Sequence, residues 1–458
     1  MNHPLTPLFQ PKAVAIIGAS HVPGKVGYAI LENLVKGGYA GRIYPINPHA
    51  REILGLKVYP SILDVKDEVD LAVIAIPAGY VPDVLEQCGE KGVKVAAVIS
   101  SGFSEVGNVE LEEQLLEVAR RYGIRILGPN MFGVVYSPSR LNANFGIGEV
   151  HPGKIAFITQ SGALGAALAY WATAEKIGFS AIISVGNKAD IDDAELLDYL
   201  AEDPNTRVVL IYMESVKDGR KFMKSAKECA LKKPVIVMKA GRSAKGAEAV
   251  ASHTGSLAGS DAIYDAAFKQ CGVLRAITFI EAFDWAKVMA MQPPPRGKNT
   301  VIITNGGGLG VLATDACEDL GIPLPPVQED LRRALKAILP PFASLKNPID
   351  LTGQADEDLY YHSVKAVLEH PSVDNVITLQ CETALAPILE VSKAILDAHK
   401  DANVEKPHLI CVIGGLRARE AAHFLEEHSL PVYNAPERPV SALHAYMQWS
   451  RFTGLLSD

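Results

Sequence analysis

Short apolar runs rich in valine and isoleucine alternate with longer amphipathic stretches along almost the whole chain. The runs have the length of strands, and their lack of polar alternation is typical of strands that are buried on both faces. The stretches between them are long enough for crossover helices, so the pattern predicts βαβ units with parallel sheets. The predicted strands fall into three series: residues 13–19, 42–46, 71–76, 95–100 and 125–127; residues 154–158, 181–185, 208–213 and 235–239; and residues 301–304, 376–380 and 409–413.

Two segments interrupt this alternation. Residues 137–150 are rich in Asn, Gly and Pro, and residues 292–299 contain three consecutive prolines followed by Arg-Gly-Lys, which is a linker composition. A chain of 458 residues is also too long to fold around one hydrophobic core. We therefore expect three α/β domains in a row, at residues 1–145, 146–292 and 298–458.

Charge and cysteine usage argue against several classes of function. The 44 basic and 52 acidic residues are interspersed and give a net charge of -8, so no stretch indicates a surface for nucleic acid or for an anionic membrane. The six cysteines form no Cys-x-x-Cys pair, which argues against a zinc site or disulfides and favours a reduced cytosol. The longest apolar runs, such as residues 71–78, are far shorter than the ~20 residues of a membrane span. We expect a cytoplasmic protein with no metal site and no membrane anchor.

Each series contains a glycine-rich turn between a strand and a helix, and the first of these turns runs from Ile17 to Gly27. Such turns suit anions, because the helix start offers unpaired N–H groups and a favourable dipole. A dinucleotide site needs Gly-x-Gly-x-x-Gly and an acidic residue roughly 20 positions later. Here the turn is wider and the second strand runs into Asn47 and Pro48 without an acid, which favours a ligand other than NAD, with Lys25 on a phosphate. A plain βα turn is the alternative.

The second and third turns are Thr159-Gln-Ser-Gly162 and Asn305-Gly-Gly-Gly-Leu-Gly310. Hydroxyl or amide groups beside a helix start suit phosphate or carboxylate, while an ordinary helix cap is the alternative for each turn. Neither is a P-loop, because no Gly-Lys-Ser/Thr follows. The segments that begin at Ile155 and Val301 are alike, and either common ancestry or convergence would explain that likeness.

His253 lies between Gly241 and Asp261, in a segment that is almost free of bulky side chains and that we expect to be a mobile surface loop. Its small polar neighbours leave the imidazole available for nucleophilic or acid–base chemistry. The alternative is a histidine that is merely solvated. Glu214 follows the predicted strand at 208–213, where α/β proteins place ligand-binding groups. It is a candidate to orient an imidazole, and capping a helix is the alternative.

These motifs, in this order, resemble the α subunits of the nucleoside-diphosphate-forming acyl-CoA synthetases, particularly the ADP-forming acetyl-CoA synthetases, which are relatives of succinyl-CoA synthetase. The resemblance covers nearly the whole chain and rests on the following motifs: Gly18-Ala-Ser20, Gly128-Pro-Asn130, Thr159-Gln-Ser-Gly162, Ser252-His-Thr-Gly255, Asn305-Gly-Gly-Gly308 and Asn347-Pro-Ile-Asp350. It implies an N-terminal Rossmann-like CoA-binding domain, followed by two flavodoxin-like parallel-sheet domains. The first of these two is a ligase domain with a phosphohistidine loop, and the second is a further ligase-CoA domain.

The resemblance also implies roles for particular residues. His253 matches the phosphorylated histidine, and Glu214 matches the acid that steadies the phosphohistidine. The positions implied for CoA are Gly18, Ala19, Ser20, Lys25, Gly27, Asn47, Pro48, Ile76, Pro77, Ser100, Ser101 and Gly102. The positions implied for phosphate or the acyl group are Thr159, Ser161, Gly162, Gly186, Asn187, Asn305, Gly306 and Gly307.

What the resemblance implies for function is a ligase that converts acyl-CoA, ADP and phosphate into acid, ATP and CoA through an acyl phosphate and a phosphohistidine. No segment looks like an ATP-grasp nucleotide site, so a β subunit with that fold is expected to bind ADP or ATP and Mg²⁺, in an α2β2 heterotetramer. The alternative is a catalytically silent CoA-binding scaffold or sensor of the same fold. A nucleotide-binding oxidoreductase is disfavoured, because the ribose-binding acid is missing.

Overall fold

The computed structural model describes residues 3–254, 260–384 and 386–457. Contacts within the chain divide it into two compact units, residues 1–275 and 276–458. In the described ranges, no helix has both the length and the apolar character that are needed to cross a lipid bilayer.

The first unit alternates strands and helices, as the sequence pattern predicts. In chain order its elements are α1 (Thr6–Phe9), β1 (Ala13–Ile17), α2 (Val26–Lys36), β2 (Arg42–Ile46), β3 (Glu52–Ile53), β4 (Leu56–Lys57), β5 (Leu71–Ile74), α3 (Val81–Lys91), β6 (Val95–Val98), α4 (Val109–Tyr122), β7 (Arg125–Leu127), β8 (Gly133–Tyr136), β9 (Leu141–Asn144), β10 (Pro152–Thr159), α5 (Gly162–Ala174), β11 (Phe179–Ser184), α6 (Asp193–Glu202), β12 (Val208–Met213), α7 (Gly219–Ala230), β13 (Val235–Lys239), α8 (Ala244–Thr254), α9 (Asp261–Cys271) and β14 (Leu274–Ala276).

Sheet I consists of parallel strands in the order β2-β1-β5-β6-β7. Its central strands are buried along their whole length, as expected for a parallel sheet that is covered on both faces. Leu85 of α3 and Leu115 of α4 pack into the core on one face of this sheet.

Sheet II has the order β14-β13-β12-β10-β11-β8-β9. Strands β10 to β13 run parallel, whereas β8 and β9 extend the β11 edge as antiparallel strands. The segment at 137–150, which interrupts the sequence pattern, therefore includes a strand of this sheet. Strands β8 and β9 lie within the residues expected for the first domain, yet they pair with the second sheet.

The second unit contains one parallel sheet among the residues described. Its elements are α10 (Phe279–Met291), β15 (Thr300–Thr304), α11 (Gly307–Leu320), α12 (Glu329–Ile338), β16 (Ile349–Asp350), α13 (Glu357–Glu369), β17 (Asn375–Cys381), α14 (Ile388–Ala402), β18 (His408–Ile413), α15 (Leu416–Glu427), β19 (Val432–Tyr433) and α16 (Glu437–Phe452). Strands in the order β16-β15-β17-β18-β19 form sheet III, and all of them run parallel.

One strand order recurs in all three sheets. Counted along the chain, the second parallel strand lies beside the first, and the third lies on the other side of the first. The order therefore reverses at β1, β10 and β15, and an open α/β sheet binds ligands in the crevice at the carboxyl end of such a strand. Each glycine-rich turn identified in the sequence follows one of these strands. The prediction of an α/β fold built on parallel sheets is confirmed.

The prediction of a surface loop at 241–261 is wrong for residues Ala244–Thr254, which form α8. Alanine has the highest helix propensity, and this stretch is rich in it. Ser243 also supports the helix start, because its hydroxyl accepts the N–H of Gly246 at 3.1 Å. The absence of bulky side chains thus reflects a helix of small residues rather than a loop.

Close packing of α2 on β1 gives the first prediction. A Cβ atom at Gly27 would lie 2.0 Å from the carbonyl oxygen of Gly18, so Gly27→Ala forces the helix away from the turn. We expect the free energy of unfolding to fall by about 1–3 kcal/mol, the usual cost of overpacking. Gly219→Ala is the matched control, because a Cβ at this first position of α7 meets no atom within 4 Å. Equal urea midpoints for both variants would contradict the packing described here.

Candidate functional site

The turn after β1 brings backbone groups unusually close together. Gly18 has a φ of +89°, and a Cβ there would lie 2.3 Å from the carbonyl oxygen of Ala75, beyond the end of β5. Only glycine fits this position. Lys25 is the residue before α2, and it is exposed. The turn therefore offers an exposed ammonium group beside a helix start at the carboxyl edge of sheet I.

Neighbouring strand ends are joined to this turn and to each other. The Asn47 side chain, after β2, donates from Nδ2 to the carbonyl oxygen of Ala19 at 2.7 Å. The Ser100 hydroxyl, after β6, accepts the N–H of Ile76 at 3.3 Å and donates to the carbonyl oxygen of the same residue. The positions implied for CoA thus follow the carboxyl ends of β2, β1, β5 and β6 in the order of the sheet, with Ser101 exposed.

Two glutamates that the sequence analysis missed connect this edge to sheet II. Glu105 accepts the N–H groups of Gly102 and Phe103, and its other oxygen accepts Nδ2 of Asn187 at 2.6 Å. Glu112, which is buried, also accepts Nδ2 of Asn187, at 2.9 Å. Burial opposes ionisation of Glu105, but the hydrogen bonds from Asn187 and from the backbone prevail and lower the pKa of its carboxyl. No motif distinguishes these glutamates from ordinary residues at the start of a surface helix.

Gly186 and Asn187, which the resemblance assigns to phosphate or the acyl group, lie against the end of the first sheet. A Cβ at Gly186, whose φ is +51°, would lie 2.1 Å from the carbonyl oxygen of Pro129. The N–H of Asn187 donates to that same oxygen at 3.0 Å. Since Glu105 and Glu112 accept the amide hydrogens of Asn187, this side chain links sheet I to sheet II.

At the carboxyl end of β10, Thr159 and Ser161 shape the start of α5. The Thr159 hydroxyl donates to the carbonyl oxygen of Ser161 at 2.8 Å, and the Ser161 hydroxyl caps the helix by accepting the N–H of Leu164 at 3.4 Å. Gly162 is the first residue of the helix, where a Cβ would meet open space. The first N–H groups of a helix have no partner within the helix, so this helix start can bind an anion.

Glu214 follows β12, the strand beside β10, and only 5% of its surface is exposed. The side chain of Gln160 accepts the N–H groups of Glu214 and Ser215 at 2.9 and 3.0 Å. The Tyr212 hydroxyl donates to the Glu214 carboxylate at 3.4 Å, and burial, assisted by that carboxylate, raises the pKa of Tyr212 to about 12. Tyr212 is therefore a neutral donor at physiological pH. Gln160 stands inside the motif Thr159-Gln-Ser-Gly162, but its reach to Glu214 was not foreseen.

Two buried lysines, Lys188 and Lys239, lie at the same edge of the sheet as this glutamate. Lys188 donates to Asp193 and to the carbonyl oxygen of Ser215, and the side chains of Lys188 and Asp193 are 2% and 3% exposed. Lys239, at the end of β13, lies over the ring of Tyr264 with its ammonium 4.5 Å from the ring centre. Burial lowers the pKa of Lys239, while Asp261 and Glu214 act in the opposite direction. The carboxyl edge of sheet II thus combines a helix start, a carboxylate and buried ammonium groups.

His253 belongs to the last turn of α8. Its side chain, those of Ser252 and Thr254, and residues 255–259 lie outside the part of the chain that is described. The histidine is therefore placed by its backbone alone, on the helix that follows β13 in the chain.

The turn after β15 repeats the arrangement of sheet II. The Thr304 hydroxyl donates to the carbonyl oxygen of Gly306 at 3.0 Å, and Gly307 begins α11. The Asn305 side chain binds the backbone of Cys381. Its Oδ1 atom accepts the Cys381 N–H at 2.9 Å, and its Nδ2 atom donates to the Cys381 carbonyl oxygen at 3.0 Å. Asn305 therefore shapes the turn, and the backbone of α11 supplies the free donors. Asn347 likewise binds backbone groups, with Nδ2 on the carbonyl oxygen of Thr300 and Oδ1 accepting from Ile302.

Comparison with known families divides the chain into three matches. A family model described as a CoA binding domain matches residues 12–137. A succinyl-CoA ligase like flavodoxin domain matches residues 152–289, and a ligase-CoA domain matches residues 300–457.

Individual proteins match over nearly the full length. The ADP-forming acetate–CoA ligase I subunit alpha of Pyrococcus furiosus is 54% identical over 454 residues, covering 98% of each chain. The ADP-forming acetate–CoA ligase of Methanocaldococcus jannaschii is 44% identical over 95% of this chain, which spans only 62% of that longer protein. A solved structure described as the dinucleotide forming acetyl-coenzyme A synthetase 1 of Ca. Korarchaeum cryptofilum, in complex with phosphate and ADP, is 49% identical. It has a TM-score of 0.96 and covers 98% of both chains.

The buried pair of Lys188 and Asp193 gives a prediction for this site. Lys188→Met leaves the Asp193 carboxylate buried without its partner, and its Oδ1 atom already lacks a hydrogen bond among the described residues. We expect the free energy of unfolding at neutral pH to fall by about 3–5 kcal/mol. Replacing both residues, as Lys188→Met with Asp193→Leu, should recover most of the loss.

The exposed pair of Lys36 and Glu32 is the matched control, because water already solvates both groups. Lys36→Met should leave the urea midpoint unchanged. A Lys188→Met protein as stable as the Lys36→Met protein would show that the buried pair does not hold this edge together.

Proposed function

Because the chain belongs to the α subunits of the ADP-forming acetate–CoA ligases, we propose that it carries the acyl and phosphoryl chemistry of such an enzyme. The reaction converts acetyl-CoA, ADP and phosphate into acetate, ATP and CoA. The observation that carries the proposal is the carboxyl edge of sheet II. There the start of α5 lies beside the buried Glu214, and Asn187 joins this edge to the positions implied for CoA.

We place CoA along the carboxyl edge of sheet I. The exposed Lys25 and the start of α2 suit the phosphates of the ligand. The turns at Ile76–Pro77 and Ser100–Gly102 follow in the direction of β7, whose end adjoins the 186–188 segment. A thioester carried on the long arm of CoA is thereby directed from sheet I towards Glu214.

We assign phosphate to two helix starts, those of α5 and α11. Both present free backbone N–H groups after a threonine that fixes the turn. Neutral donors and helix dipoles stabilise negative charge without placing a cation on the phosphate itself. Each helix start is therefore a candidate site for a phosphate group.

The proposed chemistry has three steps. An oxygen of phosphate attacks the thioester carbon, the C–S bond breaks, and CoA leaves as a thiol after it takes up a proton. A nitrogen of His253 then attacks the phosphorus of the acyl phosphate, and acetate leaves with the bridging oxygen. Finally the terminal phosphate oxygen of ADP attacks the phosphorus on His253, which forms ATP and restores the imidazole. Glu214 accepts a hydrogen bond from the other imidazole nitrogen and so stabilises its positive charge.

A separate β subunit completes the enzyme, since the relatives that match from end to end are named as α subunits. We propose that this partner has an ATP-grasp fold, binds ADP or ATP with Mg²⁺, and assembles as α2β2. The longer M. jannaschii protein is consistent with a fusion of two such parts. A cytoplasmic location fits the six cysteines, which are all free thiols.

Phosphorylation of His253 is the direct test. Incubation of the two-subunit enzyme with acetyl-CoA and labelled phosphate, without ADP, should give an acid-labile label on this chain, and His253→Asn should abolish it. Adding ADP should transfer the label to ATP. A label that persists in the His253→Asn protein, or that never forms on the wild-type chain, would refute the proposed route. A silent scaffold of the same fold predicts the second of these results.

CoA binding can be tested separately at Asn47, whose side chain fixes the turn at Ala19. Asn47→Ala removes about 1 kcal/mol of hydrogen bonding, so we expect the Kd of CoA to rise about fivefold. Phosphorylation of His253 by acetyl phosphate needs no CoA and should keep its rate. Asn142→Ala is the control, because Asn142 bonds to Gly148 instead. The assignment fails if both variants bind CoA as the wild type does.

A further inference from the structure

The side chain of Gln160 lies between the helix start of sheet II and Glu214. Its Oε1 atom accepts the N–H groups of Glu214 and Ser215 at 2.9 and 3.0 Å, and its Nε2 atom donates to the Ser215 hydroxyl at 3.1 Å. Its own N–H continues the strand pairing by donating to the carbonyl oxygen of Tyr212 at 3.1 Å. Gln160 thus makes four hydrogen bonds to the segment that carries the carboxylate.

The residues on either side of Gln160 belong to the turn before α5, the helix start to which phosphate is assigned above. Thr159 precedes it and fixes the carbonyl of Ser161, and Ser161 follows it and caps α5. A shift of the Glu214 backbone relative to this turn would therefore break its hydrogen bond to Gln160. The backbone that carries the carboxylate is tied in this way to the residues that shape the helix start.

We propose that Gln160 is the positioning residue of the phosphoryl-transfer site, holding Glu214 at a fixed distance from the start of α5. The proposal rests on the function given above, because it concerns the step in which the histidine takes the phosphoryl group. That step requires the imidazole, oriented by Glu214, to meet a phosphorus held at the helix start. A displacement of about 1 Å between such groups costs on the order of a hundredfold in rate.

In sheet III, too, an amide side chain in the turn after the first strand binds the backbone of the neighbouring strand end. Thr159 pairs with Tyr212 across β10 and β12, and Thr304 pairs with Leu379 across β15 and β17. Glu214 and Cys381 lie two residues beyond these partners, so they occupy equivalent positions. Asn305, the equivalent of Gln160, also binds the backbone at that position, with Cys381 N–H at 2.9 Å.

The two sheets differ in what the connection holds. In sheet II the amide fixes the backbone of a glutamate, and in sheet III it fixes the backbone of a cysteine whose Sγ lies 2.9 Å from where a Cβ of Gly306 would be. Both turns therefore have an amide side chain that binds the backbone two residues beyond the paired strand position. Only in sheet II, of the two, does that position carry a carboxylate, Glu214. This difference assigns orientation of the histidine to sheet II.

Two substitutions separate positioning from packing. Gln160→Met keeps the length of the side chain but removes its acceptor, whereas Gln160→Glu keeps an acceptor for both N–H groups and adds a negative charge. A positioning role predicts that, with acetyl phosphate at saturation, the rate of His253 phosphorylation falls about 10- to 100-fold in Gln160→Met and much less in Gln160→Glu. The added charge should raise the KM for acetyl phosphate in Gln160→Glu. A packing role predicts the opposite order of rates.

The experiment uses the two-subunit enzyme, with rapid quenching and labelled acetyl phosphate. Release of CoA from acetyl-CoA at saturating phosphate is measured on the same preparations. In Gln160→Met it should fall less than the rate at the histidine, because Thr159 and Ser161 still shape the start of α5. Gln292→Met is the matched control, since this buried glutamine also joins backbone groups, the N–H of His408 and the carbonyl oxygen of Ser429. It should lower the melting temperature and leave the ratio of the two rates unchanged.

The outcomes distinguish this proposal from the function on which it rests. Normal phosphorylation of His253 in Gln160→Met would overturn the positioning role while leaving the function intact. If Gln160→Met does not fold, Gln160→Glu decides, and a hundredfold loss at saturation in a folded Gln160→Glu protein would also overturn it. An unlabelled His253 in the wild-type enzyme would refute the function itself.

Discussion

The reversal of strand order at the first strand of each sheet is the constraint on which the rest of the molecule depends. Since the second and third strands lie on opposite sides of the first, the turn after the first strand remains uncovered at the carboxyl edge. The helix that begins there points its free N–H groups into the resulting crevice. Sheets I, II and III each place a glycine-rich turn at this point, and the ligands proposed for all three turns are anionic.

Side-chain amides then convert these crevices into precise sites. Asn47, Gln160 and Asn305 each hold the backbone of a neighbouring strand end, so the turns are fixed relative to the next part of the sheet. Asn187 performs a related task between two sheets, held by Glu105 and Glu112. Amides suit this role because each offers a donor and an acceptor and carries no charge that would compete with an anionic ligand. At the carboxyl edge of sheet II, the charged groups are instead Glu214 and the buried lysines Lys188 and Lys239.

The sequence predicts the parallel sheets well because strands buried on both faces lack polar residues, and β2, β7, β12 and β13 begin and end where the apolar runs do. It fails at 244–254, since a stretch of small residues suits either a loop or the helix α8. Strands β8 and β9 are also missed, because both are short and the pairing of β8 with β11 is non-local. Among site residues, Glu105, Glu112 and Gln160 act through partners about 50 to 80 positions away, and local spacing does not encode such contacts.

His253 is proposed to accept a phosphoryl group that is held at the start of α5, beside Glu214. A crystal structure of the two-subunit enzyme with inorganic phosphate tests this placement most directly. We expect a phosphate that receives a hydrogen bond from the backbone N–H of Gly162. A start of α5 that is open to solvent, with phosphate bound elsewhere, would contradict the placement.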